Sequence, residues 1–149
     1  MITISSRPVG RNWSTISFAS TLYLSSILDL LLAEVPCRLQ AEVRLGLQEA
    51  LVNAAKHGNK LDPSKIIIVR FAYAGDRYWW IISDQGCGFD RPCDCNPDPE
   101  AYLPPVESEN GRGTCILYKI FDRVIWNAAG TELRLGKQIS SRFRLPLLN

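Results

Sequence analysis

Three short stretches of this chain carry residue types and spacings that can do chemistry. The first is EALVNAAKHGN at 49–59, where Glu49 and Asn53 stand four residues apart and so stack on one side of a helix. A carboxylate there can accept a proton from an attacking hydroxyl, and a neutral carboxamide oxygen is a hard ligand suited to Mg²⁺. Taken alone, the pair also reads as the solvated face of an ordinary helix. The second stretch is DQGCGFD at 84–90, directly after a β-rich run. Asp84 would sit at the strand's end, while Gly86 and Gly88 allow the backbone to approach a flat ligand closely. A carboxylate facing such a gap is a good acceptor for an exocyclic amino group such as that of adenine, although a glycine turn after a strand looks the same. The third is NGRGTCILYKI at 110–120, where Gly111 and Gly113 open a helix. Free N–H groups and the positive dipole end favour an anion there, and Arg112 adds charge. No Gly-Lys-Ser/Thr follows, and the stretch does not follow the first strand of a βαβ unit, so neither common phosphate-loop pattern applies.

The elements that must position these groups are legible in outline. STISFAS at 14–20 alternates like a strand, and LYLSSILDLLLAEV at 22–35 reads as an amphipathic helix interrupted by Asp29 and Glu34. Pro36 breaks that helix and suits the start of the next. Over 37–57, Leu39, Val43, Leu47, Ala50, Leu51 and Ala54 form an apolar stripe at helical spacing, and Gly58-Asn59 stops the helix. Runs at 65–74 and 77–83 read as a hairpin turning through Gly75-Asp76. Residues 90–110 contain five prolines and form a long, functional-looking loop. A helix follows the G-R-G, then strands at 122–128 and 131–139, with SRFRLPL at 141–147 as a candidate last strand. The order predicts an α+β fold, a two-layer sandwich of helices on one face of a mixed, mostly antiparallel sheet.

Length and composition set bounds. The chain has 149 residues, 46% of them hydrophobic, which suits one domain with a real core, 1–149, and no second catalytic domain. A net charge of +2, from 17 basic and 15 acidic residues spread along the chain, argues against nucleic acid as a partner. Five cysteines in no regular framework suggest reduced thiols in a cytoplasmic protein. The N-terminus lacks a basic leader followed by an apolar core, and the segment at 22–35 is too short for a membrane span, which needs about 20 residues. Cys87, Cys93 and Cys95 lack the paired spacing of ordinary zinc sites, so no metal is assigned to them.

The order of the three stretches carries more than any one of them. E-x-x-x-N-A-x-x-H-G-N, then D-x-G-x-G-F after a hairpin, then a proline-rich loop and G-R-G before a helix, resembles the N, G1 and G2 boxes of the Bergerat-type, histidine-kinase-like ATPase fold. The resemblance covers about residues 14–140. Within that superfamily the chain is similar to the small single-domain anti-sigma factors, the serine-protein kinases of bacterial partner-switching systems. A histidine kinase needs a dimerisation helix pair bearing a phospho-acceptor histidine, and here the only histidine is His57, inside the first box.

The resemblance implies ATP and Mg²⁺ as cofactors. It implies that Asn53 holds Mg²⁺ bridging the phosphates and that Glu49 is the base toward a substrate hydroxyl. Asp84 would accept from the adenine amino group, with Gly86 and Gly88 shaping the pocket floor and Thr131 nearby. Residues 90–110 would form the ATP lid, ending in Gly111, Arg112 and Gly113 at the phosphates. The implied activity is an ATP-dependent serine/threonine kinase that phosphorylates a STAS-domain anti-anti-sigma protein and sequesters a sigma factor, commonly as a homodimer. The alternative is a non-catalytic, ATP-sensing binding protein. His57 is read mainly as a helix cap, with phosphate contact as its other role.

Overall fold

The computed structural model describes residues 2–6, 13–88 and 109–139, the side chains of 4–6 and 109–112 excepted. Six strands form one sheet: β1 (Thr3–Ser6), β2 (Ser14–Ala19), β3 (Ile66–Ala74), β4 (Arg77–Ser83), β5 (Arg123–Trp126) and β6 (Glu132–Gln138). Their spatial order is β1-β2-β3-β4-β6-β5, and every pairing among the described residues is antiparallel. Three helices accompany them: α1 (Ser25–Leu32), α2 (Cys37–Asn53) and α3 (Glu109–Ile120). This is the α+β sandwich that the sequence predicts.

Period-two alternation sorts each strand. Ile16 and Phe18 of β2, Ile67 and Val69 of β3, Trp80 and Ile82 of β4, and Leu133 and Leu135 of β6 are buried together with the apolar stripes of α1 and α2. Trp80 is almost fully buried, and its indole N–H donates to Leu31 O at 3.3 Å, so the largest core side chain leaves no polar atom unmatched. One cross-strand row matters for function: Val69 pairs with Ile82, Ile82 with Leu133, and Leu133 with Trp126.

Several expectations shift. β1 was not foreseen; its four residues are too few for alternation to register, and pairing with β2 makes them a strand. The first helix is shorter than 22–35: it spans Ser25–Leu32, with Ile27, Leu28, Leu31 and Leu32 as its buried face, while Leu22 and Tyr23 before it stay exposed. The second helix does not remain α-helical to residue 57: α2 ends at Asn53, and Ala54–Gly58 form one π-helical turn. The last helix starts at Glu109, so the glycine pair lies inside its first turns rather than ahead of them. Most of the expected lid at 90–110 and the candidate strand at 141–147 lie outside the described residues.

Gly46, in the middle of α2, makes a prediction. A methyl there would stand 2.5 Å from the Phe121 ring, which itself packs edge-on to Trp80 at 5.9 Å. Alanine ordinarily stabilises a helix interior by about 1 kcal/mol relative to glycine. Here overpacking costs about 1–3 kcal/mol, so the sign reverses. Gly46→Ala is expected to lower the midpoint of denaturant unfolding rather than raise it.

Candidate functional site

The site begins where α2 gives way to its π-helical turn. Asn59 N–H bonds to Ala54 O and Leu61 N–H to Ala55 O, both at 2.8 Å, closing wider rings than an α-helix does. The chain then reverses through Lys60 (φ 53°) and Leu61 (φ 57°), two non-glycine residues in the left-handed region. Strain of this kind persists only where the surroundings enforce it. His57 and Gly58, just before this reversal, line a cavity of about 190 Å³ between the π-helical turn and the sheet.

The cavity floor is the cross-strand row, supplied by Ile82, Leu133 and Trp126. Asn53 and Asp84 contribute polar groups to the wall, and Gly88 approaches from the loop after β4. An apolar slot of this kind with a carboxylate at its side suits a flat ring bearing an amino group.

Asp84 follows the last β4 residue, and its N–H donates to Thr131 O at 3.0 Å, one step beyond the Ser83–Glu132 pair. Its Oδ1 accepts the Gly86 N–H at 2.9 Å. The side chain is half-buried, and burial holds its carboxyl above the usual aspartate value, while the Gly86 bond and the Lys65 charge oppose that shift. Glycines pack tightly around it. A methyl on Gly58 would lie 2.5 Å from the Asp84 carboxylate, and one on Gly86 would lie 2.0 Å from Gly58 O. Gly88 has φ 78°, and a methyl on it would lie 1.9 Å from Ala129 O, so only glycine fits.

Glu49 and Asn53 do converge. A methyl on Gly113 would stand 3.0 Å from Glu49 Oε2 and 3.4 Å from Asn53 Nδ2, so α3 meets α2 at these two side chains. The pair is partly exposed, as groups that face an incoming ligand must be. Gly111 and Arg112 fall in the first turn of α3, whose N–H groups lack partners within the helix. The Arg112 side chain lies outside the described atoms.

The donor chemistry suits a hard cation carried by a ligand. No group of three His, Cys, Asp or Glu side chains converges among the described residues. Asn53 can offer one oxygen, and Mg²⁺ is ordinarily held by only one or two protein groups, with phosphates and water supplying the rest.

The sequence sets Glu49 and Asn53, then Asp84, Gly86 and Gly88, then Gly111, Arg112 and Gly113 in three separate stretches; the fold brings Asn53, Asp84 and Gly88 to one cavity, with Glu49 and Gly113 beside Asn53, and Gly86 and Thr131 beside Asp84. Sequence reasoning missed Trp126, read only as a strand residue, and Gly58, read only as a helix stop. It also took His57 mainly for a cap. His57 in fact lines the cavity.

Comparison with known proteins bears on this geometry. Residues 22–137 match the family described as the histidine kinase-like ATPase domain. The chain is 26% identical over 103 residues to the serine-protein kinase RsbW of Bacillus subtilis (strain 168), a match covering 66% of this chain and 64% of that protein. It is 29% identical over 86 residues to the serine-protein kinase RsbW of Bacillus licheniformis, covering 56% and 54%. The matches thus span less than two-thirds of either relative. No helix among the described residues is long and apolar enough to cross a membrane.

Proposed function

Because the chain belongs to the histidine kinase-like ATPase domain family, we propose that its cavity binds ATP with Mg²⁺ and that the protein is a serine/threonine kinase. The observation that carries this reading is the placement of Asn53 and Asp84 in the wall of one cavity, with Glu49 beside Asn53 at the contact with α3.

In this reading adenine lies on Ile82, Leu133 and Trp126, with its amino group donating to Asp84. The phosphates run toward Asn53 and the start of α3, where Gly111, Arg112 and Gly113 receive them. Bound Mg²⁺ neutralises phosphate charge, and the Asn53 carboxamide oxygen is its protein ligand. Glu49 takes the proton from a substrate hydroxyl. Phosphoryl transfer asks for little more than this positioning and charge.

The substrate in this proposal is a STAS-domain anti-anti-sigma protein, and the same chain sequesters a sigma factor as a homodimer in the cytoplasm. Similarity to two serine-protein kinases supports the kinase half. Incubation with γ-labelled ATP, Mg²⁺ and a STAS-domain protein tests it. Label appearing on a serine or threonine is the expected result. ATP binding without any transfer would overturn the kinase reading and leave a nucleotide-sensing protein.

Asp84 adds a pH signature. Its folded value is raised, so the associated stability is complete at acid pH and is lost as pH rises through the folded value. An amino group donating to the carboxylate favours the ionised form instead. ATP affinity is therefore expected to climb as pH rises through the Asp84 titration, with proton release on binding. Asp84→Asn should remove that part of the profile. Titration of the ATP phosphates is common to both proteins, so the difference between their affinity–pH curves isolates Asp84.

A further inference from the structure

Two asparagines that do not line the cavity make most of the side-chain hydrogen bonds around Asp84. Asn59 is fully buried. Its Nδ2 donates to Ser20 Oγ at 2.7 Å and to Ile66 O at 3.0 Å, and its Oδ1 accepts Gln85 N–H at 2.7 Å. It therefore ties the ends of β2 and β3 to the residue immediately after Asp84. Asn127 does the corresponding work on the other side. Its Oδ1 accepts both Thr131 N–H at 2.9 Å and Glu132 N–H at 3.1 Å, and its Nδ2 donates to Thr131 Oγ1 at 3.2 Å. Only an oxygen can accept from two backbone N–H groups, so the orientation of this amide is fixed by chemistry. Thr131 in turn accepts the Asp84 N–H, and Ala129, in the same turn, packs its carbonyl against Gly88.

We propose that Asn127 and Asn59 are positioning residues that clamp Asp84 from opposite sides, Asn127 through the backbone of Thr131 and Asn59 through the backbone of Gln85, and thereby set the selectivity of the cavity for adenine. The consequence for adenine rests on the nucleotide reading above; the clamp itself does not. The two asparagines differ in what can replace them. An aspartate at 127 keeps an oxygen for both N–H groups, and the Thr131 hydroxyl can turn to donate to it. An aspartate at 59 would set a buried carboxylate against the Ile66 carbonyl and lose both donors.

Asn127 carries the cleaner test, because it sits in a partly exposed turn rather than in the core. Two measurements on the full chain suffice: amide hydrogen exchange at 84–88 in the protein without nucleotide, and affinities for ATP and GTP with Mg²⁺. Asn127→Ala is expected to speed exchange of the Asp84 amide, whose acceptor is Thr131 O, and to reduce the ATP-over-GTP preference, each by roughly tenfold, for the loss of three hydrogen bonds. Asn127→Asp should restore both, which a merely structural role for the turn would not demand. Unchanged exchange at 84–88 in a folded Asn127→Ala protein overturns the clamp. Faster exchange with wild-type ATP-over-GTP preference overturns its role in selectivity. A wild-type protein that binds no adenine nucleotide, while Asn127→Ala still speeds exchange, takes away the nucleotide reading and leaves the clamp standing.

Discussion

Glu49→Gln is expected to bind ATP as the wild type does and to lose phosphoryl transfer by roughly 10²–10⁴-fold, the usual contribution of a positioned general base. The substitution keeps the shape of the side chain and its place beside Asn53 and Gly113, so the α2–α3 contact survives. What it removes is the capacity to accept a proton. Adenine is held at Asp84, a separate group in the same site, so ground-state binding should not depend on the Glu49 charge. Initial rates with labelled ATP, beside a nucleotide titration of the same preparation, separate the two effects. Normal transfer by Glu49→Gln would remove Glu49 from the base role.

Gly58→Ala is the second large effect, and it comes from one methyl group. That methyl would stand 2.5 Å from both Cγ and Oδ2 of Asp84 and 2.8 Å from Oδ1. Gly58 is not among the glycines with positive φ, so alanine suits its backbone and the damage is confined to the carboxylate it displaces. Asp84 must swing away, giving up the Gly86 N–H and its aim into the cavity. A hydrogen bond to a charged group is worth about 1.5–3 kcal/mol, so ATP affinity should fall at least roughly tenfold. Thermal unfolding should change little, because the displaced side chain can reach solvent. Wild-type affinity in a folded Gly58→Ala protein would show that Asp84 is not where the base is read.

These residues also mark how far the sequence carries. The stripe of Leu39, Val43, Leu47 and Leu51 repeats at helical spacing, and the runs at 65–74 and 77–83 are rich in β-branched and aromatic residues on either side of Gly75-Asp76, so α2 was legible from its period and the central hairpin from its composition and turn. Gly75, the one hairpin residue with positive φ (65°), is where a reversed Asp-Gly pair would need it. The polar members of the site were legible because their types are unusual at those spacings. The rest depends on tertiary contact. Nothing local distinguishes a π-helical turn from the end of an α-helix, since the widening at 54–58 accompanies the docking of Gly58 against Asp84. Asn59 reads as a helix stop until Ser20, Ile66 and Gln85, far apart in sequence, arrive around it. Asn127 likewise looks like any turn residue. Trp126 differs again: the register that places it beside Leu133 and Ile82 exists only once β5 pairs with β6.

The central claim is that Asp84 reads the base of an adenine nucleotide in this cavity. The most direct measurement is calorimetric titration of ATP with Mg²⁺ into the wild-type protein and into Asp84→Asn at neutral pH. The account predicts saturable binding at one site per chain in the wild type. It also predicts affinity weakened roughly tenfold or more in the folded variant, for the loss of a charged acceptor. Equal affinity in the two proteins, or no binding to the folded wild type, would contradict it.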